Sequence, residues 1–297
     1  LNSTGYSEDF WNTSQSLISV TQDFSELVTP GLQANVKFSW DAVNAATLDK
    51  RKSPATFYAT GRDEAGNLIF HQNTDGSDYL SLARSNRGNR TINLEASTTY
   101  NRNFADRHRV GGLILFSMRE HTDNFPGDFI AAFPYRNIGI ASRVTYSFLD
   151  RYFIEGNFGY NGSENFAPGK RFGLFPSLAL GYIITNEPFF KDLTSTISLL
   201  KVRGSIGEIG NDQIGGNRRL AYNSEMKSAT GYRFGSTGQR DLGGIATGHP
   251  GNPNVSWESA IKRNAGLELG LFNNLMIIAD YFWENREGIY ILQESVP

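Results

Sequence analysis

"RYFIEGNFGYNGSENFAPGKRFGLFPS", from Arg151 to Ser177, begins as a strict alternation. Tyr152, Ile154, Gly156, Phe158 and Tyr160 share one face of an extended chain; Arg151, Phe153, Glu155, Asn157, Gly159 and Asn161 share the other. Side chains of a strand point alternately to its two faces, so the large apolar residues collect on one side and the charge and amides on the other. A polar stretch with Gly, Pro and Lys follows, and then a second alternation. The polar face implies water on that side. The apolar face needs another medium.

The same period of two recurs along the 297 residues, and helical spacing is scarce. It predicts ten strands, at 14–25, 32–43, 90–103, 108–119, 138–148, 151–161, 173–185, 198–207, 258–271 and 275–285. The connections alternate in length. Tight turns are expected at 29–31, 104–107, 149–151 and 272–274, and long polar loops at 44–89, 120–137, 162–172 and 208–257. Short turns at one end and long loops at the other belong to an outer-membrane barrel, whose apolar face meets lipid and whose polar face lines a wet lumen. Aromatic residues gather at the short-turn end (Tyr100, Phe104, Phe148, Tyr152 and Phe272), as in an interfacial girdle. A soluble β-sandwich also alternates, but leaves the asymmetry of the loops unexplained.

Composition narrows the functions. A net charge of −2 gives no basic surface for nucleic acid, and the absence of cysteine removes disulfides and thiolate metal sites. No apolar run is long enough for a transmembrane helix. His71, His108, His121 and His249 lack metal-ligand spacing, and the loop carboxylates, such as Asp63, Glu64, Asp75 and Asp78, read more simply as turn residues than as a calcium site. "GSIGEIGND" at 204–212 lacks the Lys-Ser/Thr ending of a phosphate loop. No cofactor is expected. "FPS" at 175–177 suggests a proline at a strand entrance, and "NPNVSWE" at 252–258 a turn carrying Trp257 to the membrane interface.

Several stretches together resemble one family, the SusC/RagA-type TonB-dependent transporters of the Bacteroidetes outer membrane. They are "LEASTTYNRNFADRHRVGGLILF" at 94–116, "RVTYSFLDRYFIEGNFGYNGSENFAPGKRFGLFPSLALGYIITNEPFF" at 143–190, "LLKVRGSIGEIGND" at 199–212, "NPNVSWESAIKRNAGLELGLFNN" at 252–274 and "DYFWENREGIY" at 280–290. Each is weak alone; their order and intervals carry the likeness. Val202 and Gly204 stand where the family more often has Leu or Phe and Ala. The resemblance implies a barrel of about twenty-two strands, of which residues 1–297 would be an internal, partial barrel domain without the plug. It further implies an importer of oligosaccharides or peptides in the bacterial outer membrane. A SusD-like surface lipoprotein would cap it, and the TonB complex would energise it through an N-terminal part. Neither catalysis nor nucleic acid enters.

For such a barrel, lumen-facing parity and height near the long loops select Asp41, Arg119, Asn161 and Asn211 as substrate-binding candidates. Trp11 and Tyr79 are candidates for stacking on sugar rings from outside the strands. Two other readings compete: a complete ten-stranded outer-membrane protease of the omptin kind, with His121 beside Asp123 or Glu120, and a soluble carbohydrate-binding β-sandwich.

Overall fold

The computed structural model describes residues 4–214, 218–235 and 240–290. Ten strands form one sheet: β1 (Gly5–Asp23), β2 (Leu32–Arg51), β5 (Ser81–Phe104), β6 (His108–Asp123), β7 (Tyr135–Phe148), β8 (Tyr152–Ser163), β9 (Phe172–Ile183), β10 (Ile197–Asn211), β13 (Glu258–Leu271) and β14 (Leu275–Glu287), in that order across the sheet. The neighbours whose pairing is described are antiparallel. Two further hairpins stand apart as two-stranded ribbons, β3 (Thr56–Arg62) with β4 (Leu68–Thr74), and β11 (Met226–Phe234) with β12 (Arg240–Thr247). Among the described residues no helix is long and apolar enough to cross a membrane. Contacts group the backbone into two compact units. One combines the start of β1 with Ser39–Ile92 and His121–Pro134, and the other holds Leu17–Phe38, Asn93–Glu120 and the described residues from Tyr135 onward.

All ten expected strands are present, with different limits. β1 begins nine residues before the expected 14, and β2 and β5 run well into the loop expected at 44–89. That loop and 208–257 each contain a ribbon. The reason is physical. A barrel strand needs about 9–11 residues to cross the hydrocarbon core. Beyond it water bathes both faces, so the backbone ladder continues while the apolar alternation stops. β5, with 24 residues, is more than twice that length.

The register of the second unit makes the two faces explicit. Tyr146, Ile154, Leu180, Gly204 and Ala265 form one cross-strand row; Phe148, Tyr152, Tyr182, Val202 and Leu267 form another. Directly opposed residues lie on the same face, so these rows make a continuous apolar surface. Its side chains are open, with Ile154 43%, Phe158 44% and Leu180 54% exposed. The alternate rows are polar: Thr145, Glu155, Ala179, Ser205 and Asn264, then Arg143, Asn157, Ser177, Gly207 and Lys262. Here side chains satisfy one another. Arg143 Nε donates to Asn157 Oδ1 (3.0 Å), and Asn157 Nδ2 donates to Glu155 Oε1 (2.8 Å). Lys201 Nζ and Arg203 Nε both reach Glu268 Oε1, at 3.1 and 3.0 Å, while Arg203 Nη2 lies 2.7 Å from Asp280 Oδ2. Glu155, Asn157 and Arg203 therefore lie opposite to Ile154, Phe158 and Leu180, as the alternation requires. This is an apolar wall for lipid backed by a polar wall for a lumen.

Pro176 departs from expectation. It sits inside β9, not at its entrance. It is nevertheless where one ladder stops: β9 pairs with β8 from Phe172 to Tyr182, but with β10 only from Ser177 onward. A missing N–H is tolerated where no neighbouring strand needs it.

Three of the four expected tight turns are three-residue connections, 105–107, 149–151 and 272–274; the one expected at 29–31 is the end of a longer connection, 24–31. Ala105 and Asp106, Leu149 and Asp150, and Phe272 and Asn273 all have φ between 49° and 59°. Positive φ at both central positions is the type I′ geometry, whose twist matches that of the flanking strands. Neighbouring turns are tied together, Leu149 N donating to Arg107 O at 2.7 Å and Phe272 N to Thr196 O at 2.9 Å.

The longer connection from β9 to β10 is two 3-10 turns, Ile184–Asn186 and Pro188–Leu193, so the strand ends two residues before the expected 185. Between the turns, Glu187 is 7% exposed. Its carboxylate accepts from Tyr152 Oη (2.6 Å), Tyr182 Oη (3.2 Å) and Arg151 Nη1 (3.1 Å). The two tyrosine rings stack at 4.9 Å, and Phe148 stacks on Tyr152 at 6.5 Å. An aromatic belt thus marks the short-turn end. Glu187→Gln keeps the shape but removes the charge that three donors share. It should cost about 2 kcal/mol, the scale of hydrogen bonds to a charged group, read as a lowered midpoint for denaturant unfolding of the full-length protein in detergent.

Candidate functional site

At the long-loop end of the second unit, β6, β7 and β8 bring polar side chains to a cavity of about 470 Å³. Arg119 comes from the end of β6, Asn137 from the start of β7 and Asn161 from the end of β8; Asp212 follows β10 and Trp257 precedes β13. Asn161 fits because Gly139, directly opposite it, has no side chain. A Cβ at Gly139 would collide with Asn161 Oδ1, and Ser117 Oγ would be 3.6 Å away. Among the described residues the side chains of Arg119 and Asn161 make no hydrogen bond or ion pair with protein. Their donors face the cavity. Asp212 Oδ2 accepts from Asn137 Nδ2 at 3.3 Å, and Asp212 O from Asn165 Nδ2 at 3.1 Å.

A second cavity of about 540 Å³ shares Asn137 and Asp212 with the first. Two of its arginines are ion-paired. Arg219 pairs with Glu164 and lies 3.4 Å over the Tyr135 ring; Arg136 Nε lies 2.8 Å from Glu120 Oε2.

A small apolar cluster anchors the loops around this rim. Phe166, Ile214 and Val255 are buried together, with Ala221, Trp257 and Tyr290 packed against them. The ring of Phe175 fills the space over Gly173 and Gly210, and Trp257 packs against both Phe175 and Phe166 with ring centroids 5.2 Å apart. Trp257 Nε1 donates to Arg171 O at 3.2 Å. The expectation that Trp257 sits at the lipid interface is therefore corrected. Phe175 occupies the inward parity, and Trp257 follows it to that side.

Of the residues proposed from sequence, the structure brings Arg119 and Asn161 to one cavity. Asn211 ends β10 outside that lining, with Nδ2 3.2 Å from Glu258 Oε2 and Oδ1 accepting from Gln213 N. Asp41, Trp11 and Tyr79 belong to the other unit. Asp41 is half-buried within β2. Trp11 lies within β1 rather than outside the strands, and the guanidinium of Arg87 stands 4.6 Å over its ring. Tyr79 is 76% exposed between β4 and β5. Parity and height do not select Asn137, one residue before the expected strand, or Asp212 and Trp257, which the loop cluster positions.

The groups that the protease reading needs are engaged otherwise. His121 Nδ1 is 2.8 Å from Thr91 Oγ1, Asp123 Oδ1 accepts from Phe125 N, and Glu120 pairs with Arg136. Among the described residues no three His, Cys, Asp or Glu are placed to hold a metal. In the β3–β4 turn, the backbone N–H of Asn67 and then its side-chain amide hold the Asp63 carboxyl below the usual aspartate range. That is the geometry of a turn-forming carboxylate.

Comparison with known proteins bears on this geometry. The chain is 37% identical over 139 residues to the TonB-dependent receptor SusC of Bacteroides thetaiotaomicron, covering 44% of this chain. It is 29% identical over 207 residues, 61% of this chain, to the TonB-dependent receptor P39 of Formosa agariphila. The chain is SusC/RagA-like. It spans only part of these relatives, the matches covering 13% of SusC and 19% of P39. The solved RagAB peptide transporter matches the SusC/RagA-like fold over 94% of this chain and 31% of its own, with a TM-score of 0.63 at 19% identity. No protein-family model matches the sequence. The named relatives are receptors and transporters, and the fold is an antiparallel outer-membrane β-barrel wall.

Proposed function

We propose that this chain, residues 1–297, is a partial barrel domain of a TonB-dependent importer in the bacterial outer membrane, and that the complete barrel has about twenty-two strands. The importer takes up oligosaccharides or peptides. A SusD-like surface lipoprotein covers its long-loop end, and the TonB complex drives it from the short-turn side through another part of the protein. The likeness to SusC and to the RagAB peptide transporter supports this reading. The observation that carries it is the cavity of Arg119 and Asn161, whose uncommitted donors sit on the lumen face among the loops. Such groups bind the hydroxyls of a sugar or the carbonyls of a peptide as it passes, without chemistry on it. Asn211, in the same unit, adds a polar group for the substrate, and Trp11, Asp41 and Tyr79 are further candidate contacts within the other unit.

The test is uptake by the full-length transporter. The Arg119→Ala, Asn161→Ala double variant should lower uptake at limiting substrate about tenfold or more, since two lost hydrogen bonds, one of them charged, exceed 1.4 kcal/mol. Saturating substrate should restore most of the rate, and the amount of protein in the membrane should not change. Wild-type uptake at limiting substrate would remove these two residues from the binding route.

A further inference from the structure

We propose that the 3-10 segment Pro188–Leu193 is an interfacial foot, lying on the phospholipid surface at the short-turn end of the barrel. The proposal rests on the membrane-barrel reading above. The segment is two-sided. Phe190 is buried, and so are Thr185 and Glu187 just before it. Phe189, in contrast, is 71% exposed and Leu193 52%, with Lys191 exposed between them. Two large exposed apolar side chains on a short turn anchored by the buried Phe190 are a poor fit to water. With a neighbouring lysine they suit the boundary between acyl chains and headgroups.

Its position decides which medium it meets. Glu187, immediately before the segment, is clasped by the hydroxyls of Tyr152 and Tyr182. Those tyrosines belong to the apolar row Phe148, Tyr152, Tyr182, Val202 and Leu267. The clasp therefore fastens the segment to the lipid-facing side of the wall, continuous with the aromatic belt. Arg151 Nη1, at 3.1 Å from Glu187, completes the clasp and holds the turn in one orientation. The apolar surface of the strands thus extends outward over Phe189 and Leu193 at the level where tyrosines and lysines anchor a barrel.

The experiment places a nitroxide label at Phe189→Cys, or separately at Leu193→Cys, in the full-length protein reconstituted into phospholipid vesicles. Power-saturation spectroscopy then compares collisions with oxygen, which partitions into lipid, and with a water-soluble nickel chelate. The expected result is high oxygen and low nickel accessibility at both sites, with a ratio several-fold above that of a label at Tyr79→Cys in the loops. Leu180→Cys, on the lipid wall, is the control. A lipid signature at Leu180 with nickel-accessible labels at 189 and 193 overturns the foot alone. Labels at 189 and 193 shielded from both reagents would put protein over the segment and also overturn it. A nickel-accessible label at Leu180 would sink the barrel reading itself and the foot with it.

Discussion

Deleting Met226–Thr247 from the full-length transporter, with a short Gly-Ser bridge, is expected to abolish uptake or lipoprotein capture while leaving the barrel assembled. The deleted piece is the β11–β12 ribbon, which among the described residues pairs with no other strand. Met226, Tyr232, Phe234, Leu242 and Ile245 are each between 47% and 77% exposed on it. A two-stranded hairpin is marginal in water by itself. One displaying this much apolar and aromatic surface is suited to hold a partner or a substrate, since tyrosine gives a large contact area at low entropic cost. The barrel should tolerate the loss. The cluster of Phe166, Ile214, Val255 and Trp257 that fastens the loop ends lies outside the deleted residues. Shortening a surface connection changes closure entropy only slowly with length. Uptake of the native substrate and co-purification of the surface lipoprotein are the two readouts. Wild-type values for both would make the ribbon a solvated cover, and would move recognition to the β3–β4 ribbon or beyond this chain.

The sequence was most legible where two media impose opposite demands on alternate residues. In β8 and β9 lipid requires Ile154, Phe158, Leu178 and Leu180, while the lumen tolerates Glu155, Asn157 and Ser177, so period and facing could both be read. Beyond the bilayer that demand lapses. The outer part of β5, "SLARSNRGN", carries no apolar face and so reads as loop, although its ladder continues. The β3–β4 ribbon did leave a signal, with Phe57 and Tyr58 before "DEAGN" and Leu68, Ile69 and Phe70 after it. That is a strand, a turn and a strand, inside the span 44–89 that the barrel pattern marks as a single connection. The site divides the same way. Arg119 and Asn161 follow from parity along regular strands. Asp212 and Trp257 do not, because contacts far apart in sequence place them. Trp257 reaches its position through Phe175, whose ring has room only because Gly173 and Gly210 carry no side chains.

Leu178→Arg and Ala179→Arg, one residue apart, should behave in opposite ways. Leu178 is near the middle of β9 in the row of Val144, Gly156 and Ile206. It is 44% exposed in the isolated wall, and in the membrane that exposure is contact with acyl chains. An arginine on the lipid face near the bilayer midplane costs about 2–4 kcal/mol, since its charge must drag water or headgroups inward. Ala179 lies in the alternate row with Thr145, Glu155 and Ser205. An arginine there points into the polar face, where Glu155 already approaches Arg143 at 3.7 Å and can face a second cation. Its cost should stay within about 0.5 kcal/mol, as for an ordinary surface change. Denaturant titration of the two full-length variants in the same lipid would separate them by roughly that 2–4 kcal/mol. The pair is informative because the side-chain period is two. A slip of one residue in the β8–β9–β10 register would exchange the two faces and invert the order of the two variants. Equal stabilities would mean that neither face of this wall meets lipid.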